Sequence, residues 1–169
     1  ESWNGSSWTE VADLATARGN GVGGAGANNT SALAFGGTSG TRLANTEEWS
    51  FPSGSIVQLG QVWFNTGSGT LKGYAAQGTG SWSSGGSLNT GRAYIGSATR
   101  GTQTAALGFG GDPNGSTITE SYNGTSWTEV NDLNTSRAAA AGAGTQTSAL
   151  ASTGFPSTGK DKVESWNGS

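Results

Sequence analysis

Short alternating runs set the rhythm of this chain. Apolar and small residues take turns in SALAFGG (31–37), AALGFGG (105–111) and SALASTG (148–154). Alternation of this kind marks a strand, whose successive side chains point to opposite faces. Before each run lies a stretch of small residues: NGVGGAG (20–26), AYIGSAT (93–99) and AAAAGAG (138–144). These suit a crowded first strand in which Gly and Ala let backbones approach. ESWNGSSWTEV (1–11) and ESYNGTSWTEV (120–130) each predict a hairpin. The Asn4-Gly5 and Asn123-Gly124 pairs suit a type I′ turn, in which both central residues need φ > 0.

The runs recur in register, which is the strongest signal in the sequence. Trp8, Trp82 and Trp127 are each followed ten residues later by Arg18, Arg92 and Arg137. Leu14, Leu88 and Leu133 hold one common place in between. Glycine pairs end the second strand at Gly36-Gly37 and Gly110-Gly111, while the third unit keeps only Gly154. A Glu-x-aromatic element follows at Glu47-x-Trp49, Glu120-x-Tyr122 and Glu164-x-Trp166, and also stands at Glu1-x-Trp3. The expected unit is four short antiparallel strands, with about three units visible. Burial of each indole is worth about 2–3 kcal/mol.

Composition sharpens this picture. Leu, Ile, Val and Phe make up only 23 of 169 residues, a poverty that taken alone suggests disorder. Seven tryptophans and a net charge of −3 argue instead for a folded, turn-rich, all-β chain with a thin core. The absence of His and Cys excludes Ser-His-Asp and Cys-His catalysis, His/Cys zinc sites and disulfides within this chain. No cofactor and no metal are expected. No basic cluster points to nucleic acid, and no apolar run approaches the length of a membrane span. Without Met and opening at Glu1, the chain reads as a processed product or a segment of something longer.

Four strands per unit, the arginine, the glycine pair, the Glu-x-aromatic element and the Trp resemble the kelch family over residues 1–49 and 82–169. The resemblance implies β-propeller blades of four antiparallel strands. The third unit departs from the pattern, with Ser152-Thr153-Gly154 replacing Phe-Gly-Gly. Three units are fewer than the four to eight blades of a closed propeller. A larger propeller, or one completed by other copies, is therefore expected. ESWNGS occurs at both 1–6 and 164–169.

Residues 56–81 interrupt the repeat. GQVWFNTGSGTLKGY (60–74) predicts a hairpin and resembles a module of bacteriophage tail-fibre and other virion proteins. With TEEWSFPSG (46–54), NTGR/NTSR and GTQTAAL/GTQTSAL, the chain resembles repetitive propeller proteins of marine bacteriophages. That resemblance implies a blade segment ending one array at 1–55, the inserted hairpin at 56–81, and two further blades at 82–169. A plain insertion within one propeller is the alternative.

The candidate residues follow. Glu47, Glu120 and Glu164 recur with Arg18, Arg92 and Arg137, so they read as structural pairs; catalysis needs two carboxylates in differing environments. Asp13 and Asp132 read as turn residues, as does the loop Asp112-Pro113-Asn114-Gly115, which lacks the ligands of a Ca²⁺ site. Gly21-x-Gly23-Gly24-x-Gly26 lacks the Lys and the following helix of a phosphate loop. Trp63, Phe64 and Tyr74 lie outside the repeat and are free either to stack on a sugar or to pack on a neighbour. The expected function is a non-enzymatic virion component, in a tail or fibre, acting in structure or adhesion. Its expected partners are other copies, neighbouring virion proteins or a host-surface glycan. The alternatives are a bacterial surface or scaffold protein and, less well supported, a secreted kelch-type enzyme similar to galactose oxidase, whose copper site needs His.

Overall fold

A computed structural model describes residues 1–3, 5–50, 62–65, 67, 69–73, 80–112, 115–156 and 161–169. Every regular element among them is a β-strand, and every pairing is antiparallel. A hairpin of β1 (Ser2–Trp3) and β2 (Trp8–Thr9) comes first. Sheet I is β3 (Gly23–Asn28), β4 (Ser31–Phe35), β5 (Thr46–Ser50) and β8 (Ser81–Ser84), in that spatial order. Between its last two strands comes a hairpin of β6 (Val62–Asn65) and β7 (Thr70–Gly73). Sheet II is β9 (Gly96–Ser97), β10 (Ala106–Phe109), β11 (Thr119–Tyr122) and β12 (Trp127–Val130). Sheet III has three strands, β13 (Ala141–Thr145), β14 (Ser148–Ser152) and β15 (Val163–Trp166).

The first strands lie side by side, with β9 touching both β3 and β13. Crowding there explains their small residues. A Cβ on Gly23 would stand 2.3 Å from the Phe35 ring, and one on Gly96 would stand 2.5 Å from the Phe109 ring. Two apolar clusters fill the gaps between sheets. Ala25, Leu33 and Phe35 of sheet I meet Tyr122 and Trp127 of sheet II and Ile95, which immediately precedes β9. Leu107 and Phe109 of sheet II meet Ala149 and Ala151 of sheet III, with Leu133 and Trp166 beside them.

Sheet I is continuous across the insertion, because Trp49 of β5 pairs with Trp82 of β8. Ser81–Ser84 is therefore the fourth strand of sheet I. The turn at Asn123-Gly124 also differs from expectation. Gly124 has φ +93°, but Asn123 is not in the left-handed region, so the turn is not type I′. Four residues, 123–126, join β11 to β12, and the Asn123 carboxamide accepts the N–H groups of Thr125 and Ser126 at 2.9 Å. A side-chain turn of this kind is the usual competitor of a backbone one.

The glycine pair has a conformational reason. Gly36 and Gly110 adopt φ +67° and +66°, and Thr153 occupies the same left-handed place at +59° in sheet III. A β-branched residue is strained there. Three further non-glycine residues, Asn20, Tyr94 and Ala139, stand two positions after the repeat arginines with φ near +50°.

Candidate functional site

Each unit carries one buried ionic cross-tie. Arg92 gives Nη1 to the carbonyls of Gly110 and Ile118 at 2.6 and 2.8 Å, and Nη2 to Glu120 at 2.7 Å. The second Glu120 oxygen accepts the Asn89 backbone N–H and carboxamide, both at 2.8 Å. Arg18 repeats this with Gly36, Asn45 and Glu47, and Arg137 with Thr153, Lys162 and Glu164. The guanidinium fork spans the linker, the end of the second strand and the third strand, geometry that Arg alone provides. Burial lowers the Arg92 pKa despite the opposing Glu120 charge. Glu164 also feels burial, which opposes its charge. Hydrogen bonds from Asn134 and the Arg137 charge outweigh that burial and hold its pKa below the ordinary value.

Each of these carboxylates accepts hydrogen bonds from its own arginine and from backbone N–H groups just before that arginine. Among the described residues, no group of His, Cys, Asp and Glu is placed to hold a metal ion, and no helix is long and apolar enough to cross a membrane. Asp112 pairs with Arg42 at 2.9 Å across the surface, and Asp132 accepts the Thr117 hydroxyl at 3.0 Å. Gly23, Gly24 and Gly26 lie within β3, where no helix follows to cradle a phosphate.

The contacts between units supply what the sequence left unassigned. Trp127 packs on Phe35 with ring centroids 4.7 Å apart and donates its indole N–H to the Thr46 hydroxyl at 2.9 Å. Tyr122 donates its hydroxyl to Glu48 of sheet I, and burial followed by this hydrogen bond pushes its pKa up to about 12. Gln103 reaches back to the Trp49 carbonyl at 3.1 Å, and Gln146 reaches back to Ser121 and to the Tyr122 carbonyl. Both glutamines sit in the repeated GTQT segments, which signal a turn but not its reach into the preceding sheet.

The aromatic surface lies at the other side of sheet I. A cleft of about 560 Å³ opens between the β1–β2 hairpin and sheet I, walled by Trp3, Trp8, Trp49 and Trp82. Glu1, Glu10 and Asp13 line it as well. The ring centroids of Trp3 and Trp8 are 5.4 Å apart and those of Trp49 and Trp82 5.6 Å apart, with the planes tilted by 46° and 53°. Sequence reasoning expected these indoles to be buried, yet Trp8 is 63% exposed. Of the residues expected to bind a ligand, Trp63 and Phe64 fall on β6, and Tyr74 lies outside the described residues. No protein-family model and no curated protein matches the chain.

Proposed function

We propose that this chain is a non-enzymatic structural and adhesion component of a virus particle, a tail or fibre appendage built from kelch-like propeller blades. One observation carries the non-enzymatic part. The buried charged groups are spent on three equivalent Arg–Glu cross-ties that hold strands together. A rigid stack of this kind presents loops and aromatic surfaces without needing chemistry at its centre. The virion setting rests on the resemblance of the repeat and of the β6–β7 hairpin to phage appendage proteins.

The ligand class that fits is a host-surface glycan, because indole faces stack on sugar rings while nearby carboxylates accept their hydroxyls. Both Trp63 and the four-tryptophan cleft are candidates for this contact. Detection of the chain in purified particles by mass spectrometry tests the setting. A glycan array probed with the folded protein tests adhesion. Signal lost in Trp63→Ala or Trp82→Ala supports it, and a folded sample without signal counts against it. The second reading, a surface or scaffold protein working through protein contacts, is favoured by the apolar residues exposed at the end of sheet III.

A further inference from the structure

Three asparagines of this chain differ in which end of the carboxamide is held. Asn89 and Asn134 belong to the cross-ties and are held by nitrogen: Nδ2 of each donates to its glutamate, at 2.8 and 3.0 Å. A threonine follows each of them, Thr90 and Thr135, and its branched side chain crowds its own backbone nitrogen. Asn123 is held by oxygen instead. Its Oδ1 accepts the N–H groups of Thr125 and Ser126, both at 2.9 Å, while its own N–H donates to the Ser126 carbonyl at 3.2 Å. Asn123 is exposed, and a glycine follows it.

Held this way, the side chain is set up for attack by its own main chain. The bond from Thr125 N–H to Oδ1 closes a small ring that contains both Cγ and the Gly124 nitrogen, which limits how far apart they can swing. Gly124 has no side chain to shield that nitrogen, and its φ of +93° is one that glycine adopts without strain. The turn is braced as well, since a Cβ on Gly124 would stand 3.2 Å from the Thr104 side chain. A nucleophile bonding to Cγ drives the carbonyl electrons onto Oδ1, where two backbone N–H groups already point. Preorganised donors of this kind stabilise the oxyanion of an acyl transfer.

We propose that Asn123 is a site of spontaneous deamidation promoted by the fold. The Gly124 nitrogen loses its proton to water and bonds to Cγ. The Cγ–Nδ2 bond breaks, and Nδ2 leaves as ammonia after taking a proton from solvent. The five-membered imide then takes up one water and opens to aspartate or isoaspartate. Nothing is oxidised or reduced, and either product adds one negative charge to a net charge of −3. Aspartate keeps an oxygen on Cγ for Thr125 and Ser126. Isoaspartate routes the main chain through Cβ and Cγ, so the turn between Tyr122 and Trp127 grows by one carbon. Those two are cross-strand partners and close the I–II boundary against Phe35, so Asn123 acts as a slow timer on that boundary. Neither the virion setting nor glycan binding enters this chemistry.

Peptide mapping by mass spectrometry reads the outcome on the full chain, aged in mildly alkaline buffer with and without denaturant. Asn123 is expected to convert about tenfold or more faster in the native chain, because only the fold supplies the two donors. Asn89 and Asn134 are expected to keep their amides in the native chain. Conversion of Asn123 that is equal or slower in the native chain, or conversion of Asn89 or Asn134 ahead of it, overturns the proposal. Ion exchange separates the more acidic products for a second measurement. Amide exchange at Tyr122 and Trp127 is expected to quicken in the isoaspartate form and to stay unchanged in Asn123→Asp. Unchanged exchange in the isoaspartate form, or equal quickening in Asn123→Asp, overturns the timer.

Discussion

The boundary between sheets I and II and the boundary between sheets II and III start from nearly the same sequence and end differently. At the first, Trp127 lies across Phe35, and Arg92 and Glu120 are sealed at 1% and 0% side-chain exposure. At the second, no fourth strand among the described residues covers β15, and Glu164 retains 14% exposure although Arg137 is fully buried. The repeat thus writes the same cross-tie twice, but the neighbouring strand decides how dry it is. Dryness sets the cost of breaking the tie, because a charge left unpaired in water is tolerated and one left unpaired in a core is not.

The largest expected effect follows from that difference. Glu120→Ala leaves Arg92 buried without its partner and should cost about 3–5 kcal/mol in denaturant unfolding. Glu164→Ala, at the wetter tie, should cost about 1–2 kcal/mol. Equal costs would mean that the open edge of β15 is covered in solution. Trp127→Ala should likewise cost about 3–5 kcal/mol through the cavity it leaves. Trp8→Ala, at a side chain 63% exposed, should stay within about 0.5 kcal/mol.

Titration separates the two boundaries further. Glu164 has a lowered pKa in the folded state, so its contribution is present above the ordinary carboxylate value of 4.5 and is lost as pH falls through the lower folded value. Tyr122 has a raised one, so its contribution is complete below the ordinary value of 10 and disappears as pH rises through about 12. Amide exchange followed by NMR should therefore show sheet III loosening first in acid. The I–II boundary should yield in strong base, together with the 295 nm absorbance of ionised tyrosine. Simultaneous loss of both boundaries at either extreme would contradict the distinction.

The smallest effect concerns backbone strain at the third unit. Thr153→Gly restores the residue that Gly36 and Gly110 supply at the same left-handed position, and should raise stability by about 1 kcal/mol. A loss of stability would show that the Thr153 side chain makes a compensating contact.

The repeat was legible because it depends on local chemistry. The alternation of SALAFGG, the glycines beside Phe35 and Phe109 and the Arg-to-Glu spacing each follow from what a strand, a close approach or a guanidinium fork demands. The turn at Asn123-Gly124 was misread because the Asn123 side chain competes successfully for the backbone N–H groups. The sequence alone left open whether residues 56–81 join two arrays or are inserted within one, and the pairing of Trp49 with Trp82 carries sheet I across them.

By itself, the sequence determined the all-β class and the pairing of each arginine with its glutamate, because these depend on interactions within one repeat. Tertiary structure alone decided which equivalent residues are core and which are surface. Leu33 and Leu150 occupy the same place in their units, yet one is buried and the other half exposed, because burial belongs to the sheet stacked alongside and not to the residue.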